Sequence, residues 1–189
     1  MEISLAAHIR QTVPLDKRDE VGLASFIDVR TVSGRSSVFG PLFDKGVLAF
    51  IERGLLRLYS VDDQANERTL QFGVEGCWMG GKGFDVQRPS KLHLQAVEES
   101  RVVLIRLDAY ETLLVAHPLL ERYFLKVHQR AHVAAQRRIH LLAQSNGEER
   151  YRQFQQHYRA FVQRVPQYML ASFLGLTPEW LSKIRAKRS

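Results

Sequence analysis

Gln167-Tyr168-Met169-Leu170-Ala171-Ser172-Phe173-Leu174-Gly175-Leu176-Thr177-Pro178-Glu179-Trp180-Leu181-Ser182-Lys183-Ile184-Arg185-Ala186-Lys187 reads as two short helices joined by a tight turn. Leu170 and Leu174 stripe the first helix at i, i+4 beside the small Ala171, and Leu181 and Ile184 stripe the second at i, i+3, so the two stripes face each other. Gly175 suits the left-handed position that stops the first helix, and Leu176 then packs back on the turn. Thr177 caps the second helix, Pro178 occupies its first position, and Glu179 lies in the first turn, where the macrodipole favours a carboxylate. At about 100° per residue, Leu181 and Ile184 turn inward while Glu179, Ser182, Lys183 and Ala186 point away, flanked by Pro178, Arg185 and Lys187. That outer face suits a DNA major groove. Spacing alone also allows an ordinary helical hairpin with a solvated outer face.

Charge favours the groove. The chain has 189 residues and a formal charge of +7, but residues 119–189 hold 13 Lys/Arg against 4 Asp/Glu, whereas residues 1–118 hold 14 against 16. The basicity therefore lies with the helix pair and its tail, Arg185-Ala186-Lys187-Arg188, where it can displace counterions from a phosphate backbone. An acidic membrane surface is the competing partner for such a segment. No run approaches the ~18 apolar residues of a membrane span. Met1-Glu2-Ile3 lacks a basic leader region and Arg10 interrupts any apolar core of a signal peptide, so a cytoplasmic location is expected. The lone Cys77 forbids an internal disulfide, cannot alone hold zinc or an iron–sulfur cluster, and reads as a half-buried apolar residue near a turn.

Three segments are expected along the chain, giving an α+β protein. Residues 1–117 form an antiparallel β-roll with flanking helices. Its strand candidates are Val47–Ile51, Leu55–Tyr59, Thr69–Phe72, Leu92–Val97 and Val102–Ile105, punctuated by Gly54, Asp62-Asp63, Gly73, Gly76 and Gly80-Gly81. Leu5–Arg10 and Asp16–Ile27 look helical, with Pro14 between them. In residues 118–147 the period turns helical: Leu120, Phe124, Val127, Ala131 and Ala134 alternate spacings of four and three, a seam that wants a partner helix and predicts a parallel homodimer, although Arg138 interrupts it. Residues 148–189 hold a further amphipathic helix, Glu148–Gln163, whose Tyr151, Phe154, Tyr158 and Phe161 supply a core beneath the helix pair.

In that order of parts the chain resembles the Crp/Fnr family of bacterial transcription regulators, which join a cyclic-nucleotide-binding-like roll (a jelly roll) to a helix-turn-helix through a dimerising helix. The residues that carry the resemblance are Ala49-Phe50-Ile51-Glu52-Arg53-Gly54-Leu55-Leu56-Arg57, Gly76-Cys77-Trp78-Met79-Gly80, Glu148-Glu149-Arg150-Tyr151, and Val165-Pro166 through Arg185. The resemblance implies a homodimer that binds duplex DNA, works with RNA polymerase and needs no membrane. It places Pro178, Glu179 and Lys183 at the positions that meet bases or phosphates. Pro178 stands where the family usually has Arg, which removes one bidentate guanine contact. The chain ends soon after the second helix, so the family's β-hairpin wing is expected to be absent, and backbone clamping falls to Gln167, Thr177, Arg185, Lys187 and Arg188, with Ser182 and Lys183 able to reach phosphate or guanine.

The effector site departs further from the family. Cyclic-AMP-binding members carry a Glu for the ribose hydroxyl and an Arg for the cyclic phosphate. Here the matching stretches read Gly80-Gly81-Lys82-Gly83 and Pro89-Ser90-Lys91, with neither residue in place. Ala135 and Gln136 fall where hydroxyl residues usually meet adenine. Tight cyclic AMP binding is therefore not expected, and no cofactor is assigned. Gly80, Gly81, Lys82, Arg88, Ser90, Lys91 and Gln136 remain the candidate set for another small anion, beside the alternative of a purely structural roll.

Other functional classes fit less well. The chain lacks a P-loop, a G-x-S-x-G and a dinucleotide fingerprint, so catalysis is not expected. His128 and His132 have metal-ligand spacing, but no Glu or Cys joins them at motif spacing. The remaining alternative is a ligand-sensing or protein-interaction module whose helical end binds a protein instead of DNA.

Overall fold

The computed structural model describes residues 2–38, 46–81, 92–144, 146–158 and 162–186. Two antiparallel sheets face each other. One has the order β1-β7-β2-β5, from Ile27–Val32, Ser100–Arg106, Val47–Arg53 and Trp78–Gly81; the other has the order β4-β3-β6, from Glu67–Gly73, Leu56–Val61 and Leu92–Ala96. Side-chain alternation sorts the strands into layers. Ala49, Ile51, Leu56, Leu58, Leu94, Val102 and Leu104 point between the sheets and make the roll's interior. Phe50, Val103 and Ile105 point out of the first sheet, and Leu55, Phe72 and Val97 belong to the layer outside the second. Both sheets are therefore covered on both faces, and β2 is buried along almost its whole length.

Helices supply the outer layers. Leu5 and Ile9 of α1 (Leu5–Arg10), Leu113 of α3 (Leu107–Ala116) and Leu120, Tyr123 and Phe124 of α4 (Leu119–Gln144) close over Phe50, Val103 and Ile105. Over the second sheet lie α5 (Gly147–His157), α6 (Gln167–Leu174) and α7 (Pro178–Ala186). Leu141, near the end of α4, belongs to that second cluster, so one helix spans both outer layers. The remaining helix, α2 (Lys17–Ala24), begins with a capping box between Asp16 and Asp19.

The expected α+β order of roll, long helix and helical end is present, with local corrections. The helix expected over Asp16–Ile27 stops at Ala24, where the Ser25 and Phe26 amides bond to the Gly22 and Leu23 carbonyls, and Ile27 begins β1 on Ile105. Strands β1 and β5 and helix α3 are additional elements. Helix α5 ends at His157, and Phe161 lies outside the described residues.

A polar knot fastens α1 and α4 to the roll. The Tyr123 hydroxyl accepts from Trp78 Nε1 (2.7 Å) and lies 2.8 Å from His8 Nδ1. Burial holds the Tyr123 pKa well above the usual phenol value, so the phenol keeps its proton, and its bond with His8 runs in the direction the imidazole tautomer sets. Burial, with the Arg130 charge second, lowers the His8 pKa below 6.5. The unfolded chain thus binds this proton more readily, and the stability contributed by His8 is present above about pH 6.5 and lost as pH falls through the folded value. Urea unfolding between about pH 7.5 and pH 5 is expected to show wild type losing more stability than His8→Asn; parallel losses would remove His8 from the acid response.

Candidate nucleic-acid interface

The turn between α6 and α7 is built from backbone geometry. Gly175 adopts φ 65°, ψ 40°, its N–H donates to the Ser172 carbonyl (3.3 Å), and the Leu176 N–H donates to the Ala171 carbonyl (2.9 Å). These two bonds form a Schellman motif, which stops α6 and aims the chain into α7. Thr177 Oγ1 accepts from the Trp180 N–H (3.2 Å) and caps α7. Leu170, Leu174, Leu181 and Ile184 are all buried in one cluster with Tyr151, Phe154, Val165 and Met169. The facing stripes are therefore in place, and of the aromatic core read from the sequence Tyr151 and Phe154 are buried and Tyr158 packs against them.

The outer face of α7 is free of that core. Thr177, Pro178, Glu179, Ser182, Lys183 and Arg185 are exposed, and Gln167 is half-buried. Gln167 Nε2 donates to Ser182 Oγ (2.5 Å), which in turn donates to the Pro178 carbonyl (3.0 Å). Ser182 is thus engaged within the chain, so its hydroxyl must exchange a partner to meet a phosphate. Glu179 keeps its carboxylate ionised: its own amide and the Thr177 hydroxyl hold its pKa below the usual range. Lys183 makes no ion pair among the described residues. Lys187 and Arg188 lie outside the described residues.

Sequence charge overstates what faces outward. Arg164 forks onto Glu75 (2.9 and 3.2 Å) and also bonds Glu98, tying the segment before α6 to two turns of the roll. Arg152 is paired with Glu149. Arg138 turns inward, donating from Nη1 to the Phe173 carbonyl (2.7 Å) and from Nη2 to the Thr69 carbonyl (2.9 Å), with its guanidinium 3.9 Å from the Phe173 ring centroid. Ser172 adds a second clasp, donating to the Glu67 carbonyl and accepting from the Thr69 amide (2.9 Å). Helix α6 is therefore docked on β4, while α7 projects its polar face away.

The first half of the seam read from the sequence is internal packing. Leu120 and Phe124 are buried against the chain's own roll and Val127 packs on the same cluster, so these three are not open to a partner. Only Ala131 and Ala134, beyond the roll's cover, are exposed. The open four-and-three stripe on α4 is instead Leu125, His128, His132, Ala135, Ile139 and Leu142, with Leu125 58% and Ile139 68% exposed. His128 and His132 thus stand on an open helix face, and His128 Nε2 lies 3.3 Å from the Tyr110 hydroxyl.

Of the effector candidates, Gly80, Gly81 and Gln136 lie among the described residues. Gly80 adopts φ +105°, and a Cβ there would lie 2.3 Å from the Val47 carbonyl oxygen, so this glycine is required by the close approach of β2. Gly81 pairs with Val47 at the end of β5. Gln136 lies on α4 in a cleft against α5 that neither glycine lines. Lys82, Arg88, Ser90 and Lys91 lie outside the described residues. Cys77 packs beside the roll interior, and burial pushes its thiol pKa up, as suits an unreactive position.

No protein-family model matches the chain, and no curated protein matches it in sequence. Solved structures do. The c-di-GMP-responsive global regulator CLP of Xanthomonas campestris aligns with a TM-score of 0.71 over 91% of each chain at 17% identity. FixK2 of Bradyrhizobium japonicum aligns at 0.70 over 85% of this chain and 83% of its own, at 15% identity. A transcriptional regulator of the Crp/Fnr family from Eubacterium rectale aligns at 0.67 over 92% and 83%, at 14% identity. The chain has the fold of the Crp/Fnr regulators, the one its sequence motifs resemble.

Because a Cβ at Gly175 would meet only ordinary contacts, 3.7 Å from Arg150 and Leu142, the cost of Gly175→Ala is that of the left-handed backbone, about 1–2 kcal/mol. Urea unfolding is expected to show that loss for Ala and a smaller one for Gly175→Asn, which tolerates this conformation better.

Proposed function

We propose that the chain is a homodimeric, sequence-specific DNA-binding transcription regulator of the Crp/Fnr type, and that it is not an enzyme. The observation that carries this reading is α7: a capped helix whose buried residues are Leu181 and Ile184, with Glu179, Lys183 and Arg185 on its open side. The description of fold relatives as regulators supports it. Glu179 accepts from a cytosine amino group, and Lys183 reaches guanine or phosphate. Thr177, Arg185 and Gln167, with Ser182 once it exchanges partners, contact the backbone, as do Lys187 and Arg188. Pro178 contributes shape only, so one guanine contact usual in the family is missing.

Two copies pair through the Leu125, His128, His132, Ala135, Ile139 and Leu142 stripe of α4, whose alternating spacing of four and three suits a parallel coiled coil. Pairing sets two recognition helices about 34 Å apart, in successive major grooves of a two-fold site. RNA polymerase is the further partner this reading implies, and the cytoplasm its location. The roll has a degenerate effector pocket: Gly80 answers to backbone packing, and cyclic AMP is not bound tightly.

Selection of bound fragments from random duplex DNA tests the reading, and a recovered two-fold motif is the expected result. On that site Lys183→Ala is expected to weaken binding by about 1–3 kcal/mol and blur one base pair, read by gel shift. Binding that falls steeply with salt supports DNA as the partner; a purified protein that ignores duplex DNA in dilute buffer would transfer the helical end to a protein partner. For the seam, Ile139→Asp removes no internal contact, since Ile139 is 68% exposed, and sedimentation is expected to show dimer becoming monomer with the fold intact. A dimer that survives the change would place the interface elsewhere.

A further inference from the structure

A cleft of about 540 Å³ opens between the second half of α4 and α5, away from the roll interior. Its floor is Phe154 and Tyr158; its rim carries Arg137, Arg138, His140 and His157, with no carboxylate among the lining residues. The arrangement is unusual for a solvated helix joint, because four basic side chains converge on an aromatic surface without a counter-charge. Arg138 makes the imbalance strongest. Its two hydrogen-bond partners are backbone carbonyls, which satisfy donors and leave the positive charge uncompensated. Burial pushes its pKa down to about 10, the direction expected of a desolvated cation without a carboxylate. The α5 carboxylate Glu149 is already held by Arg152 and Gln153.

We propose that this cleft is a binding site for a small anion carrying a planar ring, with the ring on Tyr158, beneath which Phe154 is buried, and the anionic group among Arg137, Arg138 and His140. Aromatic floor and cationic rim ask for those two features together. His157 donates from Nδ1 to the Gln153 carbonyl (2.8 Å), which fixes its ring at the cleft's edge. At about 100° per residue, Arg137 and Leu141 lie roughly 150–170° round the helix from the exposed stripe of α4 and Arg138 and Gln136 roughly 70–90° from it, so the cleft borders that stripe on one side. Aryl carboxylates and nucleoside monophosphates share the required chemistry. Arg138 also holds the Phe173 carbonyl of α6, so an occupied cleft and the DNA-facing helices share one side chain; that consequence rests on the DNA-binding reading, whereas occupancy does not.

Direct titration of the full chain, without DNA, with 2-naphthoate and with AMP tests the site. Saturable binding of either, at one per chain and below about 1 mM, is expected. Naphthoate alone would assign an aryl carboxylate ligand, and AMP alone a nucleotide. The doubly substituted Arg137→Glu, His140→Glu protein, altered only at exposed positions, is expected to bind about tenfold or more weakly with an unchanged circular dichroism spectrum. Absence of binding by both probes would overturn the proposal. So would affinity untouched by the double substitution, or 2-naphthalenemethanol binding as tightly as 2-naphthoate, since either result would exclude recognition of the anion here.

Discussion

The helical end has no position of its own without the outer face of the second sheet. Leu55, Phe72 and Val97 of the roll share one buried cluster with Tyr151, Phe154, Leu170, Phe173, Leu174, Leu181 and Ile184. Three short helices of 8 to 11 residues could not bury a core among themselves. At the edge of this cluster Arg138 joins α4, α6 and β4 through two carbonyls and an aromatic ring. Hydrogen bonds from a charged donor contribute about 1.5–3 kcal/mol each, against a desolvation cost of several kcal/mol for the buried cation. Its net effect on stability is consequently small, while its directional demands are large. The residue fixes where α6 sits more than how firmly the chain folds.

Helix α4 has the complementary task of joining two outer layers. Its early turns are held by Leu120, Tyr123 and Phe124 on the first sheet, and its last by Leu141 over the second. Between these anchors the helix outruns the roll, so Ala131 and Ala134 face solvent although they continue the internal stripe. A helix fixed at both ends can carry exposed Leu125, Ile139 and Leu142 without losing its place. Internal packing and any partner contact thus use different sides of one rod.

Much of the helical end was legible in sequence because its signals are local. Gly175 stops a helix by its own backbone freedom, Thr177-Pro178 starts one, and the leucine stripes have only one way to face each other. The long helix was equally legible in extent, but its internal stripe passed for a dimer seam. Leu120, Phe124 and Val127 are more apolar than His128 and His132, and strong apolarity marks burial without saying in which chain. Strand β5 was hidden because Gly80 resembles a turn glycine; the reason for it, the Val47 carbonyl 2.3 Å from an added Cβ, is non-local. Strand β1 was hidden because Asp28, Val29, Arg30 and Thr31 are exposed, leaving no alternation to read. Arg138 showed only as an interruption, since its meaning depends on Phe173 and Thr69.

Charge illustrates the same division between composition and placement. Counting cations in the last third of the chain correctly located the basic region, yet several of them hold the structure together. Arg164 binds two roll carboxylates, Arg152 binds Glu149, and Arg138 is buried. Such pairs contribute little long-range field, because each is compensated or screened within a few ångströms. Exposed on the outer side of α7 stand Lys183 and Arg185 beside Glu179. A groove-facing surface of that kind gains orientation from having one acid among its bases, since the acid repels phosphate and tolerates only a base edge that donates. On the DNA-binding reading proposed above, the discriminating feature of α7 is the position of Glu179 more than the total charge around it, and that position follows from the Thr177 cap and the left-handed Gly175 that precede it.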